Sequence, residues 1–224
     1  MTDISSFEDF CPPLAEMLKS TGKFPALSTE NNLCVIRALM SEIRPVNTLE
    51  IGLSYGGSAL AFCASHRAYS HGTHTAIDPH QKTIWENTGL AAINRAGLTS
   101  YLDFREGYSA IELPKILEEG TRFGLIYIDG SHLFEDVFVD AYFAIRLLAD
   151  EGIVLFDDST DPHVAKVIRF LARNGNGLTR FDLSVYRQNG LLHNIASHLG
   201  KAQLTGFQRT GETIRKWDAK FVRF

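Results

Sequence analysis

Two apolar stretches decide the fold of this chain: Phe123-Gly-Leu-Ile-Tyr-Ile-Asp129-Gly-Ser-His132 and Gly152-Ile-Val-Leu-Phe-Asp157-Asp158-Ser159. Short runs of Ile, Val, Leu and aromatic residues that end in Gly or Asp are typical of buried parallel strands. In open α/β sheets, ligands bind outside the carboxyl ends of such strands. We therefore expect Asp129, Asp157 and Asp158 to converge on one crevice.

The spacing of these acids supports the same interpretation. Asp129 and Asp157 lie 28 residues apart, which suits one strand end, a crossover helix and the next strand end. Three carboxylates in one crevice repel each other unless protons or a cation neutralise them. The pattern therefore indicates a divalent metal ion. The alternative is that one or two of the acids only cap the helix that starts near Pro162.

Strand and helix patterns alternate along most of the chain, which predicts a doubly wound α/β sheet. The predicted strands are residues 46–52, 73–78, 101–106, 123–129 and 152–157, with weaker candidates at 178–186 and 202–209. The predicted helices are residues 57–67, 84–97, 109–119, 134–148 and 162–173. Residues 1–44 are predicted to form two helical pieces that pack on a catalytic domain of residues 45–224.

Composition limits the classes of partner. The chain has 224 residues, 45% of them hydrophobic, and a net charge of −4. This suits one domain with a full core and gives no reason to expect nucleic acid or a membrane as partner. We find no signal peptide and no membrane span in the sequence. Cys11, Cys34 and Cys63 form no C-x-x-C pair, which favours reduced thiols in the cytoplasm. Self-association stays open.

A glycine loop follows the first predicted strand, in the segment Glu50-Ile-Gly-Leu-Ser-Tyr-Gly-Gly-Ser58. Gly52 and Gly57 occupy the first and third glycine positions of a G-x-G-x-x-G loop, whereas Ser54 occupies the second. The second glycine allows close approach of a dinucleotide pyrophosphate, so its absence argues against NAD and FAD. Asp78 ends the second strand, where an acid can bind ribose hydroxyls. The alternative is that the glycines only make a tight turn.

These segments resemble a known family, the class I S-adenosylmethionine-dependent methyltransferases. The resemblance is strongest to the small metal-dependent O-methyltransferases of catechol and caffeoyl-CoA type, and within them to the branch that acts on sugars and antibiotics. It covers about residues 30–160 and rests on segments 49–58, 76–79, 94–97, 128–132 and 155–159. It implies a Rossmann-like sheet of seven strands, the last antiparallel, with helices on both faces.

The resemblance also implies roles for individual residues. Residues expected to bind S-adenosylmethionine are Glu50, Gly52, Ser54, Ser58, Asp78, Gly107, Tyr108, Ser109 and Asp129. Asp129, Asp157 and Asp158 become metal ligands, and all-oxygen ligation selects Mg²⁺ before Ca²⁺ or Mn²⁺. The catechol type usually has Asn at the last of these positions, whereas this chain has Asp158, which suits the sugar and antibiotic branch better.

Histidines supply the candidate bases. His132 stands where the catechol type has a lysine base, and a neutral imidazole can accept a hydroxyl proton. The alternative is that His132 is a structural hydrogen-bonding residue. His163 is a second candidate near the same rim, whereas His71 and His74 are interpreted as loop residues.

The predicted function is Mg²⁺-dependent methyl transfer from S-adenosylmethionine to a hydroxyl of a small molecule. Two rival interpretations remain at this stage. An NAD-dependent oxidoreductase can use a similar sheet, although Ser54 argues against it. A non-catalytic S-adenosylmethionine-binding domain would need no acidic triad.

Overall fold

A computed structural model describes residues 5–20, 22–186 and 203–224. The strands are β1 (Asn47–Ile51), β2 (Thr73–Ile77), β3 (Leu102–Arg105), β4 (Phe123–Ile128), β5 (Leu148–Phe156), β6 (Leu178–Phe181) and β7 (Thr205–Arg209). The helices are α1 (Ser5–Phe10), α2 (Pro12–Lys19), α3 (Glu30–Ile43), α4 (Gly57–Tyr69), α5 (Thr88–Arg95), α6 (Ser109–Glu118), α7 (Phe134–Leu147) and α8 (Pro162–Asn174).

The seven strands belong to one mixed sheet with the order β3-β2-β1-β4-β5-β7-β6. β1 pairs in parallel with β2, β2 with β3, and β4 with β5, whereas β7 runs antiparallel to both β5 and β6. Seven strands with an antiparallel last strand confirm the predicted Rossmann-like α/β class.

The described residues form two compact units, 5–108 with Tyr186 and 109–185 with 203–224. In the first unit, β1 and α4 supply a core of buried apolar side chains, and α3 packs on α4. In the second, β4 and β5 are buried along most of their length between neighbouring elements. The domain boundary predicted after residue 44 stays a prediction.

Several predicted elements differ from the observed ones. The helix predicted at 84–97 begins only at Thr88, because Glu86 and Asn87 have φ values of 51° and 56°, which an α-helix does not accommodate. β5 begins at Leu148 rather than Gly152, since it pairs with Phe123 before an irregularity around the left-handed Glu151.

The weaker strand candidates are partly right. β6 stops at Phe181, because the side chain of Asp182 accepts a hydrogen bond from the Ser184 amide and opens a 3₁₀ turn. β7 begins at Thr205, and position 202 lies outside the described residues. The first predicted helical piece is divided at Cys11, whose φ of −154° is not helical and which precedes Pro12 at the start of α2.

The basic and aromatic C-terminal segment, residues 215–224, packs on α8 of the second unit. The side-chain amide of Asn174 donates to the Val222 carbonyl, and the Val222 amide donates back, both at 2.8 Å. The ring of Phe224 contacts Phe170 with centroids 5.2 Å apart. In the described part of the chain, no helix is long and apolar enough to cross a bilayer.

Candidate functional site

The glycine loop of the first unit is shaped by three left-handed residues. Gly52, Ser54 and Gly56 have φ values of 95°, 48° and 83°. A Cβ on Gly56 would lie 3.0 Å from the Cα of Gly89, so the loop can approach α5 closely only with glycine there. The loop ends at Gly57, where α4 begins and its first backbone amides are free to bind an anion.

Asp78 holds this loop in place. Its Oδ2 accepts hydrogen bonds from the amides of Leu53 at 3.1 Å and Ser54 at 2.9 Å. Oδ2 also lies 3.2 Å from the side-chain amide of Gln81, and Oδ1 accepts from the His80 amide at 2.7 Å. The carboxylate is only 3% exposed. In this structure it acts as the anchor of the glycine loop, and its predicted ribose contact stays a prediction.

Glu50 is completely buried at the carboxyl end of β1. The Glu50 side chain hydrogen-bonds Ser58 in the first turn of α4, and its Oε1 lies 3.5 Å from Nε2 of His74. Burial raises the pKa of Glu50 well above its usual value, the Ser58 hydrogen bond lowers it, and the nearby charge of Asp78 raises it. A buried carboxyl group with so few partners is costly, so a cationic ligand group at this position would relieve the cost.

The interpretation of His74 as a loop residue is wrong. His74 lies within β2, is 0% exposed and stacks on the ring of Phe62 with centroids 4.4 Å apart. β2 is buried at all four positions from His74 to Ile77, so this histidine packs in the core. The sequence alone does not show this, because histidine is only intermediate in its tendency to be buried.

Two further features surround the predicted cofactor residues. Residues 22–28 cover the loop: Ser54 donates to the Ala26 carbonyl at 3.3 Å, and Phe24 contacts Tyr55 with ring centroids 5.2 Å apart. On the far side of β3, Tyr108 is 60% exposed and stands edge-on to His80 with centroids 5.9 Å apart. Such an exposed pair of rings is suited to contact with a flat base.

The acidic constellation belongs to the second unit. One ligand atom each from Asp129, His132 and Asp158 lie within 4.8 Å of one another, and His132 Nε2 is 3.0 Å from Asp158 Oδ2. The parallel pairing of Ile128 with Phe156 places these acids at the same edge of the sheet, because Asp129 directly follows β4 and Asp158 is the second residue after β5. The structure thus brings together two of the predicted metal ligands and adds the predicted base.

Asp157, the third predicted ligand, is more enclosed. It is 5% exposed; its Oδ2 accepts a short hydrogen bond from the hydroxyl of Tyr127, and its Oδ1 accepts from the Asp158 amide at 2.7 Å. Each carboxylate oxygen has two lone pairs, so these bonds leave acceptor capacity. Asp157 is therefore held firmly beside the cluster, and its role as a ligand stays a prediction.

The helix-capping alternative for the acidic pair does not fit the structure. The cap of α8 is Asp161, whose Oδ1 accepts from the amides of His163 at 2.8 Å and Val164 at 3.4 Å. His163, the second candidate base, accepts from the Phe134 amide at 3.1 Å through Nδ1 and so caps the start of α7. His132 is half exposed and lies nearer to the acids.

Ser109, another predicted cofactor residue, is the first residue of α6 in the second unit. It hydrogen-bonds Asp140, which is 1% exposed on α7. Burial raises the pKa of Asp140 from 3.8 to about 7; the Ser109 hydrogen bond lowers it and the Asp136 charge raises it. Sequence reasoning missed Asp140 because it lies on the apolar stripe of an amphipathic helix.

Comparisons with known proteins point to methyltransferases. Residues 49–159 match a family model described as a methyltransferase domain. The chain is 26% identical over 205 residues to a catechol O-methyltransferase of Niastella koreensis, covering 85% of this chain and 89% of that protein. It is 29% identical over 124 residues to a caffeoyl-CoA O-methyltransferase of Eucalyptus globulus, covering 53% of this chain and 49% of that protein.

Solved structures share the fold. A methyltransferase of Podospora anserina bound to S-adenosylhomocysteine superposes with a TM-score of 0.69 at 17% identity, covering 92% of this chain and 93% of that one. The O-methyltransferase TomG of Streptomyces achromogenes, in complex with S-adenosylmethionine, gives 0.67 at 17% identity, covering 94% and 96%.

Proposed function

We propose that this chain, which belongs to the class I S-adenosylmethionine-dependent O-methyltransferases of the catechol and caffeoyl-CoA type, methylates a small molecule carrying two neighbouring oxygens. The observation that carries the proposal is the close grouping of Asp129, His132 and Asp158 at the ends of β4 and β5. Such a group combines hard oxygen ligands with a proton acceptor, which metal-assisted hydroxyl activation requires.

Asp129, Asp157 and Asp158 would hold the cation. Carboxylate oxygens favour a hard ion, with Mg²⁺ first. When bound, the cation lowers the pKa of a coordinated hydroxyl, and S-adenosylmethionine supplies an electrophilic methyl group on its sulfonium. The Tyr127 hydroxyl and the Asp158 amide fix the orientation of Asp157, so this side chain would need little further ordering when the cation binds.

His132 would take the hydroxyl proton. Its Nε2 faces Asp158 Oδ2 at 3.0 Å, which assigns the hydrogen to Nε2 in the neutral imidazole. Nδ1 then carries the lone pair and is the atom that accepts the proton. Asp158 orients the ring in the same way that a carboxylate orients a catalytic histidine elsewhere. The half-exposed position gives a substrate access to this ring.

The glycine loop would hold the methionine end of the cofactor. Gly52 and Ser54 supply the turn, and Ser58 lies at the amino end of α4 beside the free amides. Glu50 would face the ammonium group of the cofactor. Asp78 fixes the loop and would reach the ribose. Gly107, Tyr108 and Ser109 would border the adenine, and Asp129 would lie at the methyl end.

The net charge and the cysteines indicate the class of substrate and the cellular compartment. The net charge of −4 favours a small-molecule substrate over nucleic acid or an anionic membrane. Cys11, Cys34 and Cys63 are buried and form no disulfide among the described residues, which supports a reducing cytoplasmic environment.

Calorimetry and a metal titration together test the proposal. S-adenosylhomocysteine should bind the wild type and NAD should not; the reverse result would replace the assignment with an oxidoreductase. Chelation should abolish methyl transfer to a catechol or another vicinal diol, and Mg²⁺ should restore it. Binding of S-adenosylhomocysteine without any metal dependence would point to a cofactor-binding domain.

A further inference from the structure

A continuous line of buried polar groups runs behind the glycine loop, within the first unit. Glu50 Oε1 lies 3.5 Å from His74 Nε2, and His74 Nδ1 lies 2.9 Å from the Thr48 hydroxyl. The same hydroxyl lies 2.9 Å from His66 Nε2, and His66 Nδ1 lies 3.2 Å from the His71 carbonyl. The side chains of Glu50, His74, Thr48 and His66 are all 0% exposed.

The outer end of this line fixes the direction of every hydrogen bond in it. A carbonyl oxygen can only accept, so His66 carries its hydrogen on Nδ1 and accepts from the Thr48 hydroxyl through Nε2. The Thr48 oxygen must then accept from His74 Nδ1. Neutral His74 therefore presents a bare lone pair on Nε2 to Glu50, and only a protonated Glu50 can satisfy it.

The electrostatic surroundings agree with neutral groups in the free protein. Burial lowers the pKa of His74 to about 3 and that of His66 to about 4, with the neighbouring His74 contributing to the second shift. The charged or titratable groups that face Glu50 are Asp78 at the end of β2 and Cys63 on α4, and neither is cationic. Asp78 already accepts hydrogen bonds from the amides of Leu53, Ser54 and His80, whereas His74 faces Glu50 Oε1 with a bare lone pair on Nε2. His74 is therefore the proton acceptor that lies in line with Glu50.

We propose that His74 is a positioning residue that accepts the Glu50 proton when the ammonium group of the cofactor binds beside Glu50. The inference rests on the proposed function, which places the methionine end of S-adenosylmethionine there. In this step the Oε1–H bond of Glu50 breaks, a bond from that hydrogen to His74 Nε2 forms, and the pair becomes carboxylate and imidazolium. The net charge of the protein does not change.

The geometry suits this exchange. Closing the 3.5 Å gap to a hydrogen bond needs a movement of roughly 0.6 Å. The imidazolium would donate through Nδ1 to Thr48 and through Nε2 to Glu50, so no other group in the line has to turn. Phe62 stacks flat on the imidazole, with an interplanar angle of 13°, and the face of an aromatic ring attracts a cation.

Nitrogen NMR of the full-length protein with ¹⁵N-labelled histidine tests the transfer directly. His74 should show one protonated ring nitrogen in the free protein and two with S-adenosylhomocysteine, which carries the ammonium. It should stay neutral with 5′-methylthioadenosine, which lacks that group. An imidazolium in the free protein, or a neutral His74 in the S-adenosylhomocysteine complex, would overturn the proposal.

Calorimetry in buffers of different ionisation enthalpy adds a second test. Binding of S-adenosylhomocysteine to the wild type should exchange no proton with the buffer. In His74→Gln the amide oxygen can accept the Glu50 hydrogen bond but not its proton, so about one proton should be released near neutral pH. Equal proton release by the wild type and His74→Gln would contradict the relay.

A third variant separates this inference from the proposed function. Glu50→Gln keeps a donor toward His74, so it should fold normally and bind 5′-methylthioadenosine within about 2-fold of the wild type. Its affinity for S-adenosylhomocysteine should fall roughly 10–100-fold, the scale of a lost charge-assisted hydrogen bond. Glu8→Gln, a surface carboxylate paired with Lys19, serves as the matched control. Failure of S-adenosylhomocysteine to bind the wild type would refute the proposed function itself, whereas binding with a neutral His74 refutes the relay alone.

Discussion

The two units of this protein use acids at strand ends in different ways. In the first unit, Glu50 and Asp78 are buried; Asp78 accepts hydrogen bonds from several backbone amides, and Glu50 has a raised pKa because burial opposes its charge. In the second unit, Asp129 and Asp158 are partly exposed and lie close together with His132. Acids that follow apolar strands thus support the backbone in the first unit and form a partly exposed cluster in the second. The difference between the two units lies in how deeply the acids are buried.

The largest effect is expected from removing an acid of the exposed cluster. Asp129→Ala should lower methyl transfer roughly 10³-fold or more, because the loss of cation binding forfeits several kcal/mol of transition-state stabilisation. Rates measured across a Mg²⁺ titration would show it, with Glu118→Gln, an exposed carboxylate on α6, as control. If the wild type keeps its full rate in excess chelator, the cluster holds no functional cation and the proposed contrast between the two units is wrong.

His132→Ala should lower kcat roughly 10²–10⁴-fold, the usual range for the loss of a general base. Affinity for S-adenosylhomocysteine should hardly change, because no cofactor group is assigned to His132. Full activity in the variant would leave His132 as a structural partner of Asp158. Mg²⁺ affinity measured on the same variant sharpens the role: an unchanged value supports a base, and a weakened value supports a ligand.

Substitution of Asp78 should destabilise the folded protein more than substitution of Glu50, although both side chains are buried. In Asp78→Asn an amide group would face the backbone N–H groups of Leu53, Ser54 or His80, leaving donors unpaired at a cost of about 1–3 kcal/mol. Unfolding in denaturant and S-adenosylhomocysteine affinity should both report the loss. If Asp78→Asn is as stable as Glu50→Gln, the anchoring role of Asp78 is wrong.

The smallest effect concerns Asp140, the buried acid of the second unit. Its pKa of about 7 in the folded state exceeds the usual 3.8, so between these values the folded protein keeps a proton that the unfolded chain has lost. The contribution of Asp140 to stability is therefore fully present below about pH 4 and is lost as the pH rises through 7. Asp140→Asn cannot titrate and so lacks this loss. The melting temperature of the variant minus that of the wild type should therefore be a few degrees more positive at pH 8 than at about pH 4. An equal difference at both pH values would contradict the assignment.

Much of this site could be predicted from the sequence. The alternation of apolar runs with Gly and Asp at their ends predicted the sheet, and parallel strands bring their ends to one edge, so Asp129 and Asp158 were expected to meet. Ser54 in the glycine loop predicted a cofactor without a pyrophosphate. These signals are local, because they depend only on the spacing of apolar residues and on the Gly and Asp residues that end each apolar run.

The tertiary structure alone decided how each acid is used. No local pattern shows that Asp78 accepts from Leu53 and Ser54, or that Tyr127 donates to Asp157 from a position 30 residues away. His74 reads as an ordinary polar residue until the pairing of β1 with β2 and the packing of α4 place it between Glu50 and Thr48. Charge state depends on burial and on partners from distant segments, because water and through-space contacts set the cost of ionisation, and neither is written in the order of the residues.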